Sequence, residues 1–323
     1  MRRRNLATTI GGMFALPLAA LAQQHGKVRR IGLLSNNPWT DQYALGFWAE
    51  FRSELERFGW KEGRDVVFEL ASSDGVFERL PAVARELVGR GVGLIVVAGG
   101  LAALAVRDAT RTIPVVFVGA ADPLGTGLVD SLARPGGNLT GLANLSFELI
   151  PKRLQLLVEV ANGARRIAYL TTKTGGAAFD EEAARVAAAL GLQWSPVKVS
   201  DEGELAATIT EKIDVDAWYV GDPILTLARE KVVSAFAALR KPVIYPNSGY
   251  VRLGGLLSYG ANAYAISRRA AWFTDRILRG TKPADLPVEQ PAVLELQVNL
   301  RTAQAQGITI PQSVLHRADE VID

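Results

Sequence analysis

The sequence predicts an α/β protein of two similar doubly wound parallel-sheet lobes joined by a three-crossing hinge. Three observations predict it. Short apolar runs alternate with amphipathic stretches of helical period, the pattern of parallel strands joined by crossover helices. An ordered set of segments recurs after 136, 123 and 128 residues, the mark of one plan used twice. The length, 323 residues, suits two domains that each bury a core without staples.

The first element is an address. Arg2, Arg3 and Arg4 precede an uncharged stretch from Leu6 to Leu21 that closes on Ala20-Leu21-Ala22. This is the basic, apolar and small-residue layout of a signal peptide, so residues 1–22 are expected to be removed and the remainder to be periplasmic. Arg3-Arg4-Asn5-Leu6 also fits twin-arginine export, although three arginines satisfy an ordinary leader equally well. The leader also accounts for the basic balance of 36 Lys and Arg against 33 Asp and Glu. Without it the chain carries 33 of each, so net charge points to no acidic partner.

Strands are expected at 30–34, 66–70, 94–98 and 115–118 in the first half, and at 167–170, 217–220 and 243–245 in the second. Between the first two, Ala44, Phe47, Trp48, Phe51, Leu55 and Phe58 form one helical stripe, with Thr40 as its expected cap and Gly59 at its stop. A second helix starts near Glu78 or Arg79, because Pro81 is tolerated only in a first turn. The echo pairs 28–37 with 164–173, 93–100 with 216–223 and 111–120 with 239–248. The seam falls near 133–142, where Pro135, Gly136 and Gly137 stop any helix. A strand near 254–260, a helix over 261–279 and an apolar strand run over 291–300 complete the order. These boundaries divide the chain into lobe 1, residues 23–141 plus 256–287, and lobe 2, residues 142–255 plus 288–323.

Open parallel sheets bind ligands beyond the carboxyl ends of their strands. The residues there are small or polar in both halves. They are Ser35, Asn36 and Asn37, Ser72 to Asp74, Gly99 and Gly100, and Gly119 to Asp122, then Thr171 to Lys173, Gly221 and Asp222, and Asn247 and Ser248. Gly99-Gly100 opens a helix whose first amides attract an anion. Asp122 and Asp222 stand in Asp-Pro pairs, where each either caps a turn or accepts a ligand ammonium. Trp39 either faces a solute or packs at the helix entry. The candidate ligand-binding set is Ser35, Asn36, Gly99, Gly100, Asp122, Thr172, Asp222, Tyr245 and Asn247.

Catalytic signatures are missing: there is no phosphate-binding loop, no nucleophile elbow and no dinucleotide fingerprint after the first strand. With no Cys and only His25 and His316, neither a thiolate nor a multi-histidine metal site is available, so no cofactor and no enzyme activity are expected. No basic cluster beyond the leader suggests nucleic acid.

The segments IGLLS (31–35), FRSELERFGWKEGRDV (51–66), RLPAVARELV (79–88), the run 112–142, KRLQLL (152–157), GGLLSYG (254–260) and ILRGTKPADLPVEQP (277–291) together resemble the bacterial ABC-transporter substrate-binding family that includes tryptophan- and tyrosine-type receptors. The resemblance spans essentially the whole chain after the leader. It implies a type I periplasmic-binding fold and a small polar or aromatic solute, such as an amino acid, held between the lobes. It further implies permease and ATPase subunits as partners of a monomer. By strand-tip position it carries binding roles to Ser35, Asn36, Gly100, Asp122, Thr172 and Asp222. A periplasmic ligand sensor feeding a regulator is the alternative on the same fold, and an enzyme on that architecture is a third.

Overall fold

The computed structural model describes residues 28–173, 177–200, 203–210, 214–221 and 228–323. The leader and Asp222 lie outside the described residues.

The first sheet is built from β1 (Arg29–Ser35), β2 (Val66–Ser72), β3 (Leu94–Ala98), β4 (Val115–Ala120) and β5 (Leu139–Ala143). Its order is β2-β1-β3-β4-β5, with all pairings parallel. The second contains β6 (Arg166–Thr172), β7 (Gln193–Val199), β8 (Ala217–Val220), β9 (Val243–Tyr245) and β10 (Leu257–Ala261) in the order β7-β6-β8-β9-β10. The two orders are the same when five is added to each strand number, so the echo in the sequence is a repeat of topology. The second sheet then grows by an antiparallel strand, β11 (Leu294–Asn299), and by β12 (Glu320–Ile322) beside it.

Side chains alternate across each strand, so each sheet needs cover on both faces. In the first sheet Ile31, Leu33, Val96 and Val116 face α1 (Gln42–Arg57), while Leu34, Val97 and Phe117 face α2 (Leu80–Gly89) and α3 (Gly100–Ala109). In the second, Ile167, Tyr169 and Tyr219 face α4 (Ile150–Val160) and α5 (Ala177–Ala189). On its other face Leu170, Trp218 and Tyr245 meet α6 (Leu205–Thr210), α7 (Arg229–Phe236) and α8 (Ser248–Val251). One helix is exchanged in each direction. The helix after β5, α4, covers the second sheet, whereas α9 (Ala263–Leu278), after β10, lies on α1 and the first sheet. The tail helices α10 (Leu300–Gln306) and α11 (Gln312–Leu315) close the second lobe.

The chain therefore passes between lobes after Ala143, after Ala261 and before Leu294. Residues 286–289 run beside β5 on the last passage: Thr140 Oγ1 donates to Leu286 O at 2.7 Å and Ala143 N to Glu289 O at 2.9 Å. Three expectations shift. Residues 257–261, placed at the start of the segment returning to lobe 1, pair within the second sheet. The seam lies past β5 rather than inside 133–142, because the Pro-Gly-Gly turn merely precedes an edge strand. Thr40 does not cap α1; Asp41 does, its Oδ1 accepting from Ala44 N at 2.6 Å.

Candidate functional site

The two sets of strand ends face one another across the lobe boundary. Residues 41–43, which enter α1 in lobe 1, touch lobe 2 at Arg229 and at the turn of residues 247–249.

In lobe 1, the loop after β1 is held by its own polar groups. Ser35 is buried and its Oγ accepts from Asn37 N at 3.1 Å, while Asn36 O accepts from Gly75 N at 2.8 Å. The Asn36 amide lies over Gly99, where a Cβ would stand 2.4 Å from Nδ2 and where φ is +101°. Both facts require glycine at that position. Asn36 Oδ1 is buried without a hydrogen-bond partner among the described residues. Beside it Gly100 begins α3, so the helix amides open toward the same place. Trp39 takes the packing role: it lies 5.6 Å from Trp48, and its Nε1 donates to Ala71 O at 3.3 Å.

Asp122 stands exposed, and its Oδ1 accepts from Gly125 N at 2.7 Å. This is the turn-capping alternative of its Asp-Pro pair.

In lobe 2, Thr171 and Thr172 end β6 buried, and Thr171 Oγ1 donates to Asp180 at 3.1 Å. Asn247 caps α8, its Oδ1 accepting from Gly249 N at 3.0 Å. Tyr245 ends β9, but its side chain does not face the tip. It points to the core face of β9, stacks on Tyr250 with centroids 4.9 Å apart, and is held neutral by burial, which raises its pKa. Strand alternation sends Ile244 to one face and Tyr245 to the other, and a sequence that marks only the strand's end does not say which.

The structure adds residues that motif reading passed over. Tyr43 is half-buried at the lobe boundary, its ring against Arg229 and Gly249 of lobe 2. Desolvation, only partly offset by the Arg229 cation, pushes its hydroxyl pKa up to about 12. Glu295 is buried next to the tip of β10, opposite Gly260 in the ladder; it accepts from Asn262 Nδ2 at 2.6 Å, and its charge acts on Tyr43. Arg153 of α4 is 3% exposed and donates to Tyr259 O at 2.7 Å, Pro246 O at 3.2 Å, Ser146 O at 3.5 Å and the Tyr219 hydroxyl at 3.4 Å. All four acceptors are neutral. Arg153 thus ties the first crossing, the β9 tip and β10 together and leaves a positive potential at the floor of the lobe boundary. Charges so far apart in sequence from the strand tips carry no spacing signal.

Such an arrangement can hold a small molecule by short polar groups and helix amides; no group of three or more metal-ligating side chains occurs among the described residues. No helix among them is long and apolar enough to cross a membrane.

Residues 48–322 match the sequence profile of the family described as ABC transporter substrate binding protein. A tyrosine-binding protein of Clostridioides difficile (strain R20291) is 25% identical over 285 residues, covering 86% of this chain and 81% of that one. Among solved structures, a conserved domain protein from Vibrio cholerae superposes with a TM-score of 0.84 at 26% identity, over 91% of this chain and 100% of that one. The ABC domain from Streptococcus pneumoniae in complex with L-Trp gives 0.82 at 27% identity, over 92% and 100%. Their architecture is the type I periplasmic-binding fold, which these two lobes share.

Proposed function

This chain belongs to the family of ABC transporter substrate binding proteins, and from that premise we propose that it captures an amino acid, aromatic ones foremost, between its two lobes. The observation that carries this reading is the likeness, over nearly the whole chain, to a relative solved with L-Trp. The chemistry of the lobe boundary supports it. An amino acid brings a carboxylate, an ammonium and a side chain, and each has a complement. The α3 amides after Gly99-Gly100 and the Arg153 potential suit the carboxylate. The orphan Asn36 Oδ1 suits the ammonium, since a buried acceptor without a donor is costly until a ligand supplies one, and the buried Glu295 adds a negative charge. Tyr43 offers an aromatic wall. Ser35, Thr172 and Asn247 frame the site from the two sets of tips; Asp122 belongs to it less, its carboxylate being engaged by a turn.

In the same reading residues 1–22 direct export, the released monomer works in the periplasm, and its loaded form docks on the permease and ATPase of an importer. A thermal-shift screen of the purified protein against the twenty amino acids tests the solute class, because a ligand bound only by the folded state raises the melting temperature. L-tryptophan or L-tyrosine at 100 times its Kd adds about 2.7 kcal/mol of stability. No shift with any amino acid would reject the proposal. Asn36→Ala and Glu295→Gln are each expected to weaken binding at least tenfold by leaving the ammonium unpaired.

A further inference from the structure

We propose that Asp41 and Arg229 form a latch that favours the closed arrangement of the lobes and sets how long a captured solute stays. The second half of this statement rests on the solute-capture reading above; the first does not.

Arg229 begins α7, where a cation meets the positive end of the helix dipole and gains nothing from its own helix. Its side chain is nevertheless only 4% exposed. Arginine is rarely buried unless paired, and a carboxylate of the other lobe pairs with it here. Nη2 lies 2.9 and 2.8 Å from the two Asp41 carboxylate oxygens, 188 residues away in sequence. The guanidinium carbon sits 4.6 Å from the centre of the Tyr43 ring. Gly249 leaves room for that ring, since a Cβ there would lie 3.0 Å from it. One turn of lobe 1, residues 41–43, is therefore fastened to lobe 2 by an ion pair and a cation-ring contact.

The partners in these contacts lie on opposite sides of the three crossings, so a rotation that opens the lobes about those crossings would part them. They act as a differential interaction of the kind that moves an open–closed equilibrium. A solute that also needs closure is coupled to the latch, and the coupling is reciprocal. Weakening a shielded charge pair acts mainly on release, not on encounter. Neither residue needs to touch the solute; both are positioning residues.

Asp41 also caps α1, so the test must separate the two duties. Asp41→Asn keeps an oxygen for the Ala44 amide and discards the charge, and it should melt close to the wild type. Arg229→Gln removes the other partner. Because the chain has no Cys, Glu78→Cys and Glu181→Cys, both on exposed positions in different lobes, take spin labels cleanly. In the ligand-free protein the interlobe distance distribution is expected to contain a closed population. Either single substitution should lower its closed-to-open ratio about tenfold, and the double variant should fall no further than the worse single. Distributions identical across all four proteins, or two effects that simply add, overturn the latch. Stopped-flow release of L-tryptophan should quicken about tenfold in each single variant with little change in association rate; unchanged release overturns its role in retention. If no form binds any amino acid, the solute class fails while the distance measurement still decides the latch.

Discussion

The two lobes follow one plan, yet the same three residues do different work in each. Arg29-Arg30-Ile31 opens β1 and Arg165-Arg166-Ile167 opens β6. In both, the backbone is read identically: Gly93 N donates to Arg30 O and Asp216 N to Arg166 O, each at 2.8 Å. The side chains then part. Gly93 has nothing to offer, so Arg30 turns outward to Glu69 on the neighbouring strand at 2.6 Å. Asp216 instead accepts from the Arg165 and Arg166 amides at 2.9 Å and from the Arg166 guanidinium at 2.7 Å. These bonds, the guanidinium's first, hold its carboxyl well below the usual carboxylate range. A repeat detected by sequence conserves the strand and its ladder, while the charge network is decided by the residue that the neighbouring strand places alongside.

A second difference lies at the boundary itself. The step from β3 to α3 in lobe 1 takes one residue, Gly99, and delivers helix amides to the tip. In lobe 2, α7 opens on a buried arginine, Arg229. Lobe 1 thus offers backbone dipoles and lobe 2 offers charges.

The comparison can be broken most forcefully in the cores. Phe51→Ala in lobe 1 and Phe236→Ala in lobe 2 each remove a fully enclosed ring and should cost about 3–5 kcal/mol. Since α4 and α9 are exchanged between the lobes, either change should lower one calorimetric transition; two resolved peaks would show that the lobes unfold independently. Next comes Asp216→Ala, which leaves two strand-opening amides and a guanidinium without their acceptor and should cost about 1–2 kcal/mol in urea titrations. That stability depends on pH in a defined sense. The folded pKa is depressed, so the contribution is complete above the ordinary carboxylate value near 4 and is lost as pH falls from there toward the lower folded value. Wild type and Asp216→Asn should therefore converge in acid; a constant gap would refute the linkage. Smallest is Arg30→Ala, whose pair with Glu69 is solvent-exposed and should cost at most about 1 kcal/mol. Equal losses for Arg30→Ala and Arg166→Ala would erase the distinction between the lobes.

Much of this architecture was legible before any coordinates. Nine of the strands lie where strands were expected, Pro81 sits in a first turn, and the matched segments are β1 with β6, β3 with β8 and β4 with β9. The strands that escaped notice are edge or near-terminal ones. In β7, Pro196 and the solvent-facing Gln193, Ser195 and Lys198 hide the pattern, which an edge tolerates because its outer amides need no partner. In β5 a five-residue run follows directly on a Pro-Gly-Gly turn and looks like loop.

The sequence by itself determined the lobes and their repeat, because hydrophobic periodicity and turn chemistry are local and are read within a window of a few residues. It also determined that small and polar residues stand at the strand ends. The tertiary structure alone decided which of them keep a polar atom unpaired. Asn36 keeps an unpaired oxygen while Asp122 and Asn247 spend theirs on turns and caps, and Tyr245 turns into the core. It alone brought Asp41 to Arg229 and set Glu295 and Arg153 at the boundary. The physical reason is that charge and hydrogen-bond partners are chosen by proximity in space, across crossings that bring residues nearly two hundred positions apart within 3 Å, and proximity of that kind leaves no period in the chain.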